Sequence, residues 1–230
     1  MLKKIQHIDE VVLGKMDHIR TGRFTFVMRN ISRLGNKGFI WFVFIIPFFA
    51  TKYGRIVGTN IFISMSLTCV VGEGCLKYVV GRERPCSKFD DTQQLIERPK
   101  YYSFPSGHTA SSFSVFAVAF ALCDIYVWLP VLLFATVMGF SRVYLRVHYL
   151  SDVLAGIVLG IVCGTISVFV SNAAYYKLSS LIFKNLPKNR IISVNGRPMY
   201  IEHAVSLGIV WLVIAVCGGI LFWHFNKRDR

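Results

Sequence analysis

Apolar positions along the chain gather into unbroken runs, without the alternation or the 3.6-residue stripe that a soluble domain shows. Six runs stand out, near Gly38–Tyr53, Val57–Val80, His108–Asp124, Val131–Leu145, Val153–Val170 and Ala204–Trp223. Crossing the hydrocarbon core of a bilayer takes roughly 20 residues of helix. Backbone groups in lipid must pair within their own segment, so such runs read as helices. The pattern predicts an all-α fold, a polytopic membrane helical bundle of about six transmembrane helices. The first run is short and carries Pro47, which predicts a tilt or kink. A turn is expected just before Trp128-Leu-Pro130. The fifth run holds Gly156, Gly160 and Gly164, which predicts close helix packing.

Between the runs lie the polar segments. Residues 1–37 form an N-terminal polar, amphipathic segment, 38–223 a membrane-embedded catalytic domain, and 224–230 a basic tail. Residues 5–14 suit a short amphipathic helix, either lying on the membrane or packed on the transmembrane core. No continuous apolar stretch before a cleavage site marks a signal peptide. The segment Gly81–Gly107 is too long for a tight connection and is the expected place for function. Alternate crossing puts it on the same membrane face as Arg142–Asp152, although some 40 residues separate them along the chain. A further polar stretch, Ser171–His203, precedes the sixth span.

Composition changes this picture little. The chain has 230 residues, 54% of them apolar, and a formal net charge of +14. In a soluble chain that charge would suggest nucleic acid. Here Lys and Arg flank apolar spans, as membrane anchoring requires, so no nucleic-acid partner is implied. The cysteines Cys69, Cys75, Cys86, Cys123, Cys163 and Cys217 form no CxxC pair and no zinc-type spacing, so neither a disulfide framework nor a structural metal is expected.

The candidate chemistry lies in three clusters on the shared face. Lys77, Arg84 and Arg142 are cations at the membrane edge, where an unpaired charge is expensive. Arg offers a planar fork for phosphate oxygens and Lys a point charge. Ser106-Gly107 at the start of the third span adds backbone N–H groups and the positive end of a helix dipole. His148 and Asp152 are four apart and share a face if that segment is helical. The carboxylate would then fix the imidazole tautomer and stabilise the cation formed on reaction. His108 supplies a proton donor. A nucleophile, an acid and a cationic cradle are the parts of phosphoryl transfer. Three simpler readings stand beside these. Lys77 can be an i,i+4 partner of Glu73, Gly107 a helix-start glycine, and Arg146 a snorkelling interface residue. A metal site made of His108, His148 and Asp152 is a further alternative.

The order K-x6-RP (Lys77 to Pro85), PSGH (Pro105 to His108) and SR-x5-H-x3-D (Ser141 to Asp152) resembles the type 2 phosphatidic acid phosphatase (PAP2) superfamily. The resemblance implies a PAP2-like core and a membrane lipid phosphatase that needs no cofactor or metal. It implies that His148 attacks phosphorus to form a phosphohistidine, that Asp152 orients it and that His108 protonates the leaving oxygen. Lys77, Arg84, Ser106, Gly107 and Arg142 would bind the phosphate. Family members commonly have three spans before the first motif; this chain has two, and it adds one after the last motif.

The implied substrate is a membrane lipid phosphate or diphosphate, with undecaprenyl diphosphate first and phosphatidylglycerol phosphate or phosphatidic acid next. The loop Cys86–Phe104, with Asp90, Asp91 and Glu97, is expected to shape this choice. Two alternatives share the sequence features: a lipid-linked phosphotransferase and, from another class, a lipid transporter. The transporter lacks support from paired inverted halves. The expected location is the cell (inner/plasma) membrane. Lys and Arg near span ends lean weakly toward a cytoplasmic site, whereas the resemblance implies an extracytoplasmic one, and the outward orientation is the expectation.

Overall fold

The computed structural model describes residues 2–50, 52–88, 95, 96, 99, 101–182, 191–194 and 197–200. The expected sixth span, the basic tail, and Asp90, Asp91 and Glu97 lie outside the described residues.

The polar N-terminal segment folds into two helices, α1 (Leu2–His18) and α2 (Gly22–Leu34). Thr21 starts α2 by accepting the Phe24 amide on its hydroxyl, which satisfies one of the orphan N–H groups of a helix start. Of the two readings open for α1, packing on the transmembrane core is the one observed. Leu13 is buried against Val143, Tyr149 and Val153, with Val12 and Met16 beside it.

α3 (Phe39–Ile45) ends as Pro47 approaches and gives way to a 3-10 turn over Ile46–Ala50. Proline has no N–H to donate and its ring clashes with the preceding turn, which interrupts the helix. Next, α4 (Lys52–Thr68) runs into a π-helical stretch, Cys69–Leu76, and then the single turn α5 (Lys77–Val80), which stops at Gly81 with φ 58°. That left-handed conformation costs glycine nothing. After the loop come α6 (Gly107–Leu122), α7 (Ile125–Tyr144) and α8 (Leu150–Ile182). Ile56–Lys88, Ile125–Tyr144 and Leu150–Ser171 are long and apolar enough to cross a membrane, and Phe39–Phe48 and Gly107–Leu122 are shorter apolar helices. The protein is a helical membrane bundle.

Two boundaries differ from expectation. The turn after the third span lies at Cys123–Asp124, as expected, but α7 starts at Ile125 and not near Val131, so Pro130 sits inside it and removes one hydrogen bond. The fifth span does not end at Val170: α8 continues to Ile182. Residues 171–182 contain neither Gly nor Pro, so nothing local stops the helix. Past it, β1 (Ile191–Val194) and β2 (Arg197–Tyr200) pair antiparallel, Ile191 opposite Tyr200 and Val194 opposite Arg197.

The glycines of α8 bring it against α6. A Cβ on Gly156 would stand 2.7 Å from the Ser106 carbonyl oxygen, and one on Gly160 would stand 2.4 Å from that of Ala110. Backbone-to-backbone approach this close is open only to glycine, and it fixes the start of α6 beside the start of α8. From the other side, α2 packs on the end of α7. Phe24 meets Tyr144 edge-to-face at 5.0 Å, and Thr25 shares a 2.8 Å hydrogen bond with the buried Tyr144 hydroxyl.

Candidate active site

His148 is not on a helix. It lies in the turn 145–148 between α7 and α8, and Asp152 is in the first turn of α8. Their four-residue spacing therefore reflects a helix start and not a shared helical face. The Asp152 carboxylate folds back to accept the Tyr149 amide at 2.9 Å, as an acid in the first turn does in a capping box. The same position places it favourably in the helix dipole. The turn itself forces Arg146 to φ 59°, which for a residue with a Cβ costs about 1–2 kcal/mol. Arg146 holds Asp17 of α1 at 2.7 Å, so it is an ion-pair partner in addition to any interfacial role.

His148 is 1% exposed. Its Nε2 is 3.0 Å from a terminal guanidinium nitrogen of Arg84. Arginine can only donate, so Nε2 accepts with its lone pair and the ring proton resides on Nδ1. Nδ1 lies 3.3 Å from the Ser103 hydroxyl, which donates to Asp152 Oδ2 at 2.5 Å. The direct His148 Nδ1 to Asp152 Oδ2 separation is 3.7 Å. Ser103 thus bridges imidazole and carboxylate. Burial, and after it the cations Arg84, Arg142 and Lys77, hold the imidazole well below the usual histidine range. At neutral pH the ring is neutral, and its Nε2 lone pair is held by the Arg84 N–H.

The three expected cations converge, each in a different state. Arg84 donates to the carbonyls of Tyr101, Tyr102 and Val147 as well as to His148. Arg142 is 3% exposed and donates to Ser32 of α2, while its Nε has no partner among the described residues. A buried unpaired donor costs about 1–3 kcal/mol, and an arriving anion would recover it. Lys77 pairs with Glu73 at 2.5 Å, as the i,i+4 reading expects. The other oxygen of Glu73 stands only 2.1 Å from where a Cβ on Gly107 would be. Gly107 is therefore more than a helix starter: its missing side chain admits a carboxylate to the positive end of α6. Ser106 is fully buried, bonded to Thr109 through its hydroxyl and to the Asp152 carbonyl through its N–H.

His108 opens α6 and its Nε2 donates to Asn36 Oδ1 at 3.1 Å. It lies within electrostatic reach of Arg142, His148, Lys77 and Arg84. Gly35 lets its ring in, since a Cβ there would meet the His108 ring at 2.7 Å. All eight predicted site residues thus fall in one region, where Gly81–Gly107 and Arg142–Asp152 meet. Sequence reasoning missed Ser103, Ser32 and Asn36. Ser103 stands two residues before Pro105, where a signal was available; Ser32 and Asn36 reach the site only through folding of the N-terminal segment.

A cavity of about 630 Å³ opens beside Arg84 and is lined by Glu83, Arg84, Lys88, Pro99, Tyr101 and Tyr102. Among the described residues no group of three His, Cys, Asp or Glu side chains is arranged to hold a metal.

Comparison with known proteins agrees with the motif resemblance. The PAP2 superfamily profile matches residues 54–176. An undecaprenyl-diphosphatase of Sulfolobus acidocaldarius is 32% identical over 152 residues, covering 66% of this chain and 72% of that protein. The crystal structure of Aquifex aeolicus LpxE superposes with a TM-score of 0.59 at 26% identity, over 68% of this chain and 92% of that one. The transmembrane PAP2-type phosphatidylglycerolphosphate phosphatase of Bacillus subtilis gives a TM-score of 0.61 at 25% identity, over 74% and 87%. With half of its length inside the profile and its motifs gathered into one buried, cation-rich site, the chain belongs to the PAP2 superfamily as a membrane phosphatase.

Proposed function

We propose that this phosphatase hydrolyses a lipid phosphate or diphosphate through a phosphohistidine on His148. The observation that carries the reading is the 3.0 Å contact between Arg84 and His148 Nε2. When that Arg84 N–H turns from Nε2 to a phosphate oxygen, the oxygen is held next to the freed nucleophilic lone pair. Nε2 attacks phosphorus as the bond to the leaving oxygen breaks, and His108, which takes up a proton when the anionic phosphate enters among the cations, passes that proton to the leaving oxygen. Nδ1–H stays bonded toward Ser103 and Asp152, which stabilise the charge gained by the ring. Water then attacks the phosphohistidine, and His108 takes the proton back as inorganic phosphate leaves. Lys77, Arg84 and Arg142, with Ser106 and Gly107 at the start of α6, hold the phosphate oxygens. No step needs a metal.

Undecaprenyl diphosphate is the first substrate, because a relative named undecaprenyl-diphosphatase is 32% identical over two-thirds of this chain. Phosphatidylglycerol phosphate and phosphatidic acid follow. The cavity beside Arg84 would take the remainder of the head group. The catalytic domain of residues 38–223, its site completed by Ser32 and Asn36 from the N-terminal segment, lies in the cell membrane with that site on the extracytoplasmic side. Phosphate release from undecaprenyl diphosphate in detergent with EDTA tests the reading. Turnover by the parent and none by His148→Ala is expected; loss on chelation, restored by a divalent ion, would overturn the metal-free mechanism.

A further inference from the structure

Asp9 is a buried acid on a helix that is otherwise open along this stretch. Lys4, Ile5, His7, Ile8 and Glu10 are exposed, whereas Asp9 is 1% exposed. Its Oδ1 accepts the Ser151 amide at 2.9 Å, and its Oδ2 accepts the Ser151 hydroxyl at 2.6 Å and Arg82 at 2.7 Å. Arg82 uses its other terminal nitrogen to hold Asp152 Oδ1 at 2.7 Å and the Ser151 hydroxyl at 2.6 Å. Gln6, one turn before Asp9, accepts a further Arg82 bond at 2.8 Å, and the guanidinium lies 4.0 Å over the Tyr149 ring.

The two oxygens of Asp152 are thereby divided. Oδ1 is held by Arg82, and Oδ2 serves Tyr149 and Ser103, the side that leads to His148. A carboxylate held at both oxygens cannot rotate, and Ser103 stays in place between it and the imidazole. Arg82 in turn is bracketed by carboxylates, one from α8 and one from α1. We infer that Asp9 and Arg82 are positioning residues for the phosphatase reaction: through Asp152 and Ser103 they hold His148 in its attacking orientation and tautomer. The N-terminal helix α1, outside the residues 54–176 that the family profile matches, is then a working part of the active site. The inference rests on the reading of His148 as the nucleophile.

A mutant cycle in the full-length detergent-solubilised protein tests it. Arg82→Gln should lower kcat about 10- to 100-fold, and Asp9→Asn about tenfold, losses of the size expected when a hydrogen bond to a charged group is removed. KM should stay within about twofold, since neither residue meets the phosphate. Arg82→Lys, which keeps the charge, should recover part of the rate. In an Asp152→Asn background, followed by single turnover, Arg82→Gln should cost less than about threefold, because residues acting through one another are not additive. If Arg82→Gln fails to fold, Asp9→Asn carries the cycle. Equal losses in both backgrounds, or a raised KM with kcat unchanged, would overturn the inference. Its failure is separable from failure of the nucleophile assignment: turnover by His148→Ala removes the latter, whereas an inactive His148→Ala beside fully active Arg82 and Asp9 variants removes only the former.

Discussion

Arg82 and Arg84 are two residues apart and meet opposite surroundings. Arg82 faces two buried carboxylates, Asp9 and Asp152, and its charge is more than matched. Arg84 bonds to three backbone carbonyls and an imidazole nitrogen, and none of its bonds among the described residues is to a carboxylate. Carbonyls hold a guanidinium in place without cancelling its charge. A matched cation is thus an anchor, and an unmatched one would be free to take the anionic ligand of the proposed function. Arg142 belongs with Arg84, having a neutral partner in Ser32 and an Nε unpaired among the described residues. Lys77 stands between the two cases: it is paired with Glu73, which a phosphate would have to displace.

The sharpest way to break this contrast is Arg84→Gln, which removes the unmatched charge beside His148. It should lower kcat/KM by about 10²- to 10³-fold, the usual loss for a donor aimed at developing charge. A steady-state assay showing less effect than Arg82→Gln would reverse the comparison. Ser103→Ala comes next. It empties the bridge between Nδ1 and Asp152 and should lower kcat about 10- to 30-fold with KM little changed, a loss of the size expected for one hydrogen bond to a charged group. An unchanged kcat would show that the imidazole is held without it.

Glu73→Gln should act in the opposite direction. Freed of its internal anion, Lys77 would bind orthovanadate about three- to tenfold more tightly, roughly 0.7–1.4 kcal/mol. Weaker inhibition would show that Glu73 supports the cradle instead of competing for it. The smallest effect is in pH. Because burial and three cations lower the pKa of His148, its protonated form appears only below the usual histidine range near pH 6.5. Acidifying the free protein from pH 7.5 to 6.5 should therefore leave the ring neutral, with Nε2 unprotonated. Nitrogen-15 NMR of labelled histidine would read this directly, and an imidazolium signal already at pH 7 would contradict it.

The catalytic motifs were legible in the sequence because they are compact: each places its chemistry within a dozen residues. The five apolar runs that fall on described residues were equally legible, since a membrane helix leaves a long continuous signal. What sequence could not show is what comes together from afar. Asp9 pairs with Arg82 across more than 70 positions, and on an amphipathic helix it reads as one solvated charge among several. Ser32 and Asn36 reach Arg142 and His108 in the same way. The spacing of His148 and Asp152 was visible, but its cause was not: an acid three residues beyond Tyr149 marks a helix start as readily as a helical face. Asn195-Gly196, between β-branched residues and a tyrosine, is a hairpin signal of only two residues inside a long polar stretch.

The central claim is that His148 Nε2 becomes phosphorylated. Rapid quenching of the protein mixed with undecaprenyl diphosphate labelled on its terminal phosphate, EDTA present, tests it most directly. The account predicts labelled protein that survives alkali, loses its label in acid and is absent from His148→Ala, with free phosphate appearing at the rate the label decays. Full release of phosphate with no labelled protein at any time, or label retained in His148→Ala, would contradict it.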